Sequence, residues 1–492
     1  MKDIVRKKPK LQQKWLAEFQ NSQPNKFNEE IIYGLRERDN MLEYLEDTCR
    51  ALETIPYITY NGYELITDEN KFRKQETVSI TDNRLNLVIF NFTINYNGNT
   101  SNVSMPLFIP KWINHYYFIL NGNKYFPIYQ HVEISTYNTK NSVILKSLLM
   151  SIILQMKSNV KVTDIDDNSY TGRVYMVNLF NHKNNFLYYY FANMGFEETI
   201  KFFGYEKNIR IVSEKNLGKV DTNKRILFSI NKAYYVSVSR NKFNNDITFK
   251  NFVVCVLDMF NKKFTIDRIN DKDFWVVKLG SIYTKNTNNQ KTKAETVILS
   301  FKRILDERTK KNLLISEEDK QDIFHLLKWM MNNFDSLMRK DNLSLLNKRL
   351  RLCEYIIFPF VSKMSTSTYR ILNSKTINMN KLKSILKPNP MVIITELQKS
   401  KLLRFNNATN DMDLFNCSLR FSNRGPQSLG EGSRKTVSIY YRGIHISHIG
   451  RLSLNSISNS DPGMTGCLSP FVKTNHFYYS DTGKIIEANN ND

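Results

Sequence analysis

Apolar positions recur at helical spacing from residue 10 to residue 53, and from 55 to 130 the pattern changes to alternating β-branched and aromatic residues. Asn-Gly pairs at 61, 97 and 121 interrupt that alternation, and each suits a type I′ hairpin turn. The longest apolar stretch, VILKSLLMSIILQM at 143–156, predicts a buried helix; it is short for a membrane span and carries Lys146. Residues 160–285 read as a mixed region with strand-like runs at RILFSI, AYYVSVS and FWVVKL. The polar run KNTNNQKTKAE at 285–295 predicts a loop, and helices follow from about 296 to 360, with Trp329, Met330 and Leu337 at core spacing. No internal repeat or coiled-coil heptad is present. The expected fold class is α+β, multidomain, with mixed helices and antiparallel sheets.

Length and charge narrow the class. A chain of 492 residues can bury several cores, and two to four domains are expected. Seventy Lys and Arg against 47 Asp and Glu give a net charge of +23, which favours acidic partners, nucleic acid first, with salt-sensitive binding. The alternative is a basic face that confers solubility or docks on an acidic subunit. Five scattered cysteines with no Cys-x-x-Cys pair fit a reducing compartment. The start MKDIVRKKPK lacks the apolar core of a signal peptide, so a cytosolic protein with no membrane role is expected.

The stretch RFSNRGPQSLGEGSRKTVSIYYRGIHISHIGR at 420–451 holds six Lys or Arg, two His, five Gly and one acid, Glu431. Glycines let the backbone approach a ligand, and guanidinium groups fork onto phosphate oxygens, so the segment suits a phosphate grip. GEGSRK at 430–435 has neither spacing of a nucleotide-binding loop. His445 and His448 stand three apart in an alternating, strand-like context that sends them to opposite faces, and zinc would lack further ligands. A structural role bracing the basic loop is the better reading. Asp164, Asp166 and Asp167 could hold a hard cation, but the run lacks the Gly and distal Glu of a calcium loop and reads as a solvated turn. No Ser, Cys or Lys is marked as an activated nucleophile.

RGIHISHIGR at 442–451 is similar to the R-x-x-H-P-[ST]-H-x-G-R signature in the fork region of β subunits of multisubunit RNA polymerases, matching at Arg442, His445, Ser447, His448, Gly450 and Arg451. RFSNRGPQSL at 420–429 resembles the family's R-[IL]-S-x-x-G-P-x-x-L, and SDPGMTGCL at 460–468 resembles its P-E-G-x-x-x-G-L turn with two extra residues. DNLSLLNKRLRLCE at 341–354 is similar to the D-x-x-x-L-x-N-[KR]-R-[IL]-R helix start after the lobe. FILNGNKYFPIYQ at 118–130 resembles the F-I-[IV]-N-G-x-E-[KR]-V hairpin of the protrusion. The blocks are colinear with β, and the chain ends soon after the fork. It therefore resembles the N-terminal half of a split β subunit of the jumbo-bacteriophage type.

The resemblance implies a division of labour. Residues 1–135 would form the first part of the protrusion, 136–310 the lobe, 311–415 the second part of the protrusion, and 416–492 the fork and tail. The chain would be one jaw of the DNA cleft, inactive alone as a nucleotidyltransferase. It would bind no metal, because the catalytic Mg²⁺ belongs to an N-A-D-F-D-G-D motif of β′ and this chain has no such string. Arg420, Ser422, Arg424, Arg434, Lys435, Arg442 and Arg451 would face nucleic acid; Asp461 and Met464 would lie beside the active centre. Gly425, Pro426, His445, His448 and Gly450 would shape the fork. The implied partners are a C-terminal β-like subunit, β′-like subunits, a promoter-specificity factor, template and downstream DNA and nascent RNA, in the cytoplasm of an infected bacterium. The competing class is a stand-alone basic nucleic-acid-binding or virion structural protein, which accounts for the charge but not for colinear blocks.

Overall fold

The computed structural model describes residues 40–68, 83–113, 117–139, 141–231, 233–260, 266–313, 315–374, 377–405, 417, 419–426, 442–453, 464–469, 474–475 and 478–479. Within them the fold is α+β, with mixed helices and sheets that are antiparallel in all but one strand pairing.

Of the helical pattern expected from 10 to 53, the described part is the helix Met41–Ala51, capped by Asn40, whose side chain accepts from the Leu42 amide at 3.0 Å. It buries Tyr44, Leu45 and Cys49. The alternating region that follows is a three-stranded sheet of Ile58–Ile66, Leu85–Tyr96 and Asn99–Pro110. Two Asn-Gly pairs turn hairpins as expected: φ is positive at both Asn97 and Gly98, and at both Asn121 and Gly122 between Phe118–Leu120 and Asn123–Pro127. The third does not. Asn61-Gly62 lies inside the strand Ile58–Ile66, at a bulge beside Tyr60. Both flanks pair with the same long partner strand, so ladder pairing overrides the local turn signal.

The helix expected at 143–156 is instead two strands, Ser142–Lys146 and Ser151–Thr163, in a five-stranded meander running from Thr136–Thr139 to His182–Asn185. Val143, Leu145, Ile152 and Leu154 are fully buried at alternate positions, but the intervening residues are apolar too and hide the period of two. A tight reversal, with the Ser147 amide bonded to the Met150 carbonyl, separates the strands. FWVVKL is also corrected: it forms part of the helix Lys272–Tyr283, capped by Asp271, with Trp275, Val276 and Leu279 buried and Trp275 Nε1 donating to the Ile269 carbonyl at 2.7 Å. RILFSI and AYYVSVS are strands as expected, Arg225–Ser229 and Tyr234–Ser239. The loop at 285–295 ends early, since the helix Gln290–Lys302 begins within it.

Helices continue through Ile323–Asn332 and Phe334–Met338, where Met330 and Leu337 are buried and Trp329 packs half-buried against the core. The helical reading then fails at 341–354, where the chain makes a short 3₁₀ turn, Leu345–Asn347, and a strand, Lys348–Arg351. That strand has a partner far away in sequence, Tyr129–Glu133, and joins a six-stranded sheet. The order is Thr465–Cys467, Arg420–Ser422, Tyr129–Glu133, Lys348–Arg351, Tyr478–Tyr479 and Thr474–Asn475, with only Arg420–Ser422 parallel to its neighbour Tyr129–Glu133.

Candidate nucleic-acid interface

The six-stranded sheet is built around a buried cation. Arg351, at 1% exposure, occupies a central strand and sends three nitrogens to three different segments. Nε donates to Gln130 Oε1 at 2.7 Å, Nη1 to Glu354 Oε1 at 3.2 Å, and Nη2 to the Pro426 carbonyl. Glu354 also takes a bidentate fork from Arg349 at 2.6 and 2.7 Å. Burial pushes the Arg351 guanidinium down to about 10, with Glu354 opposing, so it stays charged at neutral pH. Burial works against the Glu354 charge, but Arg349 and then Arg351 hold its carboxyl well below the usual range. Two guanidinium groups sharing one carboxylate leave a residual positive charge beneath the loop at 424–426.

That loop is fastened from both sides. Gln130 Nε2 donates to the carbonyls of Arg424 at 2.8 Å and Pro426 at 3.1 Å, while the Ser422 hydroxyl accepts the Arg424 amide at 3.0 Å and donates to the Met464 carbonyl. The Asn423 amide reaches the same carbonyl at 2.8 Å, and the Met464 side chain is fully buried. Gly425 adopts φ +109, and a Cβ there would stand 2.7 Å from Leu402 Cδ1 and 2.8 Å from Gln130 Nε2. Gly425→Ala therefore combines backbone strain with a clash against a fixed side chain, and should cost about 2–4 kcal/mol in chemical denaturation. A variant as stable as its parent would contradict this geometry.

His131 pairs in register with Leu350, between Arg349 and Arg351, with its ring packed at a tilt against Phe421, ring centres 4.2 Å apart, and Nδ1 3.1 Å from Asn423 Oδ1. Burial and the Lys348 charge push it down to about 3, against the Asn423 hydrogen bond, so it is neutral at physiological pH.

RGIHISHIGR is not the strand that its alternation predicts. Ile446–His448 is a 3₁₀ turn capped by His445, whose Nδ1 accepts the Ser447 amide at 3.1 Å, while the His445 amide points at His448 Nδ1 at 3.4 Å. The two histidines thus come together, with ring centres 6.3 Å apart, through side-chain capping that a simple alternation reading does not anticipate. His448 Nε2 lies 3.1 Å from the Leu343 carbonyl and therefore carries the proton; burial lowers its basicity. Ser447 Oγ accepts the Leu345 amide at 3.0 Å, and Arg451 Nη1 donates to the Ser447 carbonyl at 2.9 Å. His445 Nε2 stands 3.6 Å from Asp341. The segment is clamped to the 341–347 loop.

Arg420, Ser422, Arg424, Gly425, Pro426 and Met464 are thus gathered at one end of the sheet. Arg442, His445, His448, Gly450 and Arg451 lie on the adjoining turn, tied on by the Ser453 amide to the Cys467 carbonyl at 2.9 Å and the Ser469 amide to the Arg451 carbonyl at 2.8 Å. Arg434, Lys435 and Asp461 lie outside the described residues. Sequence reasoning had Arg349 and Arg351 as matching motif positions, and Gln130 and Glu354 within the quoted blocks, but gave none of them a place in the site, and it did not single out His131. At Asp164 the turn stands, with a buried anchor: its carboxylate accepts the amides of Asp166 at 3.0 Å and Asn168 at 2.8 Å, while Asp166 and Asp167 are exposed.

In this strongly basic α+β chain the loop at 424–426 is pinned by the buried Arg351 guanidinium. The family model of the non-virion RNA polymerase subunit matches residues 3–484, and the chain belongs to that family. It is a subunit of an RNA polymerase, with other polymerase subunits as partners. No curated protein matches the sequence. Among the described residues, no helix is long and apolar enough to cross a membrane.

Proposed function

We propose that the chain is the N-terminal part of a split β-like subunit of a phage multisubunit RNA polymerase, and that its fork region borders the RNA–DNA hybrid. One observation carries the reading. The segments that resemble β blocks at 341–354, 420–426, 442–451 and 464–468, and the end of the block at 118–130, whose hairpin lies in a separate three-stranded sheet, are dispersed through the sequence but meet around the six-stranded sheet, where Gln130, Arg351 and Pro426 are joined directly. Colinearity and spatial convergence together are what a β-like origin would produce.

In this reading residues 1–135 and 311–415 are the protrusion, 136–310 the lobe and 416–492 the fork and tail. Arg420, Arg424, Arg434, Lys435, Arg442 and Arg451 neutralise phosphates, Asp461 and Met464 approach the active centre, and the sheet supplies rigidity. Catalysis is by positioning and charge stabilisation. A β′-like partner holds Mg²⁺, a C-terminal β-like chain completes the jaw, and a specificity factor selects promoters in the infected host's cytoplasm.

Affinity purification of the tagged chain from infected cells tests the assembly: polypeptides resembling the rest of β and both parts of β′ should accompany it, and a chain recovered alone overturns the reading. The basic loop is tested by Arg434→Ala with Lys435→Ala in reconstituted enzyme. Promoter opening or elongation should weaken while assembly is retained, with the log-salt slope of DNA binding shallower by about 1–2 for two lost phosphate contacts. Unchanged transcription would refute a nucleic-acid role for these two residues.

A further inference from the structure

Behind the six-stranded sheet lies a cavity of about 420 Å³, walled by the strand Tyr129–Glu133, the start of the five-stranded meander and the helix Phe358–Asn373. Its size is within the range of small-molecule sites. Aromatic and aliphatic side chains, among them Tyr137, Leu345, Phe358 and Phe421, make much of the wall.

The polar lining does not balance internally. Lys348 is paired with Glu133 at 2.6 Å, Arg308 with Asp47 at 2.5 Å and Glu43 at 2.9 Å, and Arg349 and Arg351 share Glu354. Lys146 is the remaining cation. Its ammonium has no hydrogen-bond or ion-pair partner among the described residues, and burial together with Arg351 pushes it down to about 7 despite Glu354. Two acceptors on the same lining are also buried without a hydrogen-bond partner, Glu133 Oε2 and Asn138 Oδ1. An unpartnered cation and unpartnered acceptors in one cavity call for a guest that carries both an anionic group and donors. Water would serve the acceptors but leave the cationic surplus; a bare anion would do the reverse.

We propose that this cavity binds a small phosphate monoester whose body carries hydroxyl groups, the phosphate seated toward Lys146 and the Arg349–Arg351 pair and the hydroxyls donating to Glu133 and Asn138. The assignment is independent of the fork reading, since the lysine comes from the meander and the phosphate need not belong to a polynucleotide. A site of this volume excludes a duplex.

Isothermal titration calorimetry on the full chain, in the complex with which it is isolated, tests this with ribose 5-phosphate, inorganic phosphate and ribose as probes. Ribose 5-phosphate should bind at least about tenfold more tightly than inorganic phosphate, ribose should give no heat, and Lys146→Met should weaken ribose 5-phosphate by more than about tenfold while Lys146→Arg retains it. Hydrogen exchange of the strand Ser142–Lys146 in the unmodified chain provides a second readout, slowing on addition of ribose 5-phosphate. The proposal is overturned if ribose 5-phosphate neither binds nor slows exchange at millimolar concentration, if inorganic phosphate binds as tightly, or if a folded Lys146→Met variant binds unchanged.

Discussion

Arg351→Ala should destabilise the six-stranded sheet by about 3–5 kcal/mol, the range for breaking a buried ion pair by removing one partner. The residue is almost fully buried, so solvent screening does little to reduce the loss. Glu354 keeps its fork from Arg349, and the Pro426 carbonyl keeps Gln130 Nε2. Gln130 Oε1, however, loses the Arg351 hydrogen bond, and the truncated side chain leaves a cavity. Native-state hydrogen exchange at 348–351 and 420–422 is the appropriate measurement, because it reports the local unfolding free energy in a multidomain chain. Cleavage near 424–426 in limited proteolysis should rise in parallel. Arg351→Met, which fills the volume without the charge, should lose less. If Arg351→Ala exchanges at the parent's rate in both strands, the buried guanidinium is not what fastens the loop.

Acid should weaken the same sheet at a pH where most surface carboxylates are still ionised. His131 is held neutral in the fold at about 3, against an ordinary value of 6.5, by burial first and by Lys348 second. Between those values the unfolded chain binds a proton that the folded chain does not, so stability falls as pH drops from 6.5 toward 3, by about 1.4 kcal/mol per unit across the window. His448, also lowered by burial, adds in the same direction. Glu354 acts later: its depressed folded value means that its stabilisation is present above the ordinary value of 4.5 and is lost as pH falls through the folded value. His131→Phe keeps a ring against Phe421 and removes the titration. Denaturation measured from pH 7 to pH 4.5 should show a slope in the parent that is shallower in the variant, and equal slopes would exclude His131 as the cause.

The parts of the fold legible in the sequence are those dictated by local chemistry. Asn97-Gly98 and Asn121-Gly122 turn because both residues take positive φ at little cost, and no distant partner competes. Asn61-Gly62 carries the same signal and fails, since one continuous partner strand holds both of its sides. The stretch 143–156 deceived through composition: with both faces apolar, a period of two cannot be seen, and the β-branched Val143, Ile144, Ile152 and Ile153 were the better guide. At the site, the motif residues of 420–426 and 442–451 were visible, but their support was not. Arginine is ordinarily a surface residue, and Arg351 is buried only because Gln130, 221 positions earlier, and Pro426, 75 positions later, meet it. The pairing of His445 with His448 was missed for the opposite reason, a capping turn of three residues that interrupts an otherwise strand-like pattern.

The parallel pairing of Arg420–Ser422 with Tyr129–Glu133 sets the order in which the molecule can be built. The ribosome must synthesise the chain from 133 to 420 before the earlier strand meets that partner, an interval of roughly 15–60 s at ordinary rates of translation. Until then one side of Tyr129–Glu133 is an open edge, the kind of surface on which nascent chains pair wrongly. The last strands to emerge, Thr465–Cys467 and those at 474–479, pair into both flanks of the sheet. Completion of this sheet is therefore a late event, and the loops it carries take their working shape only once residues 465–479 have been made.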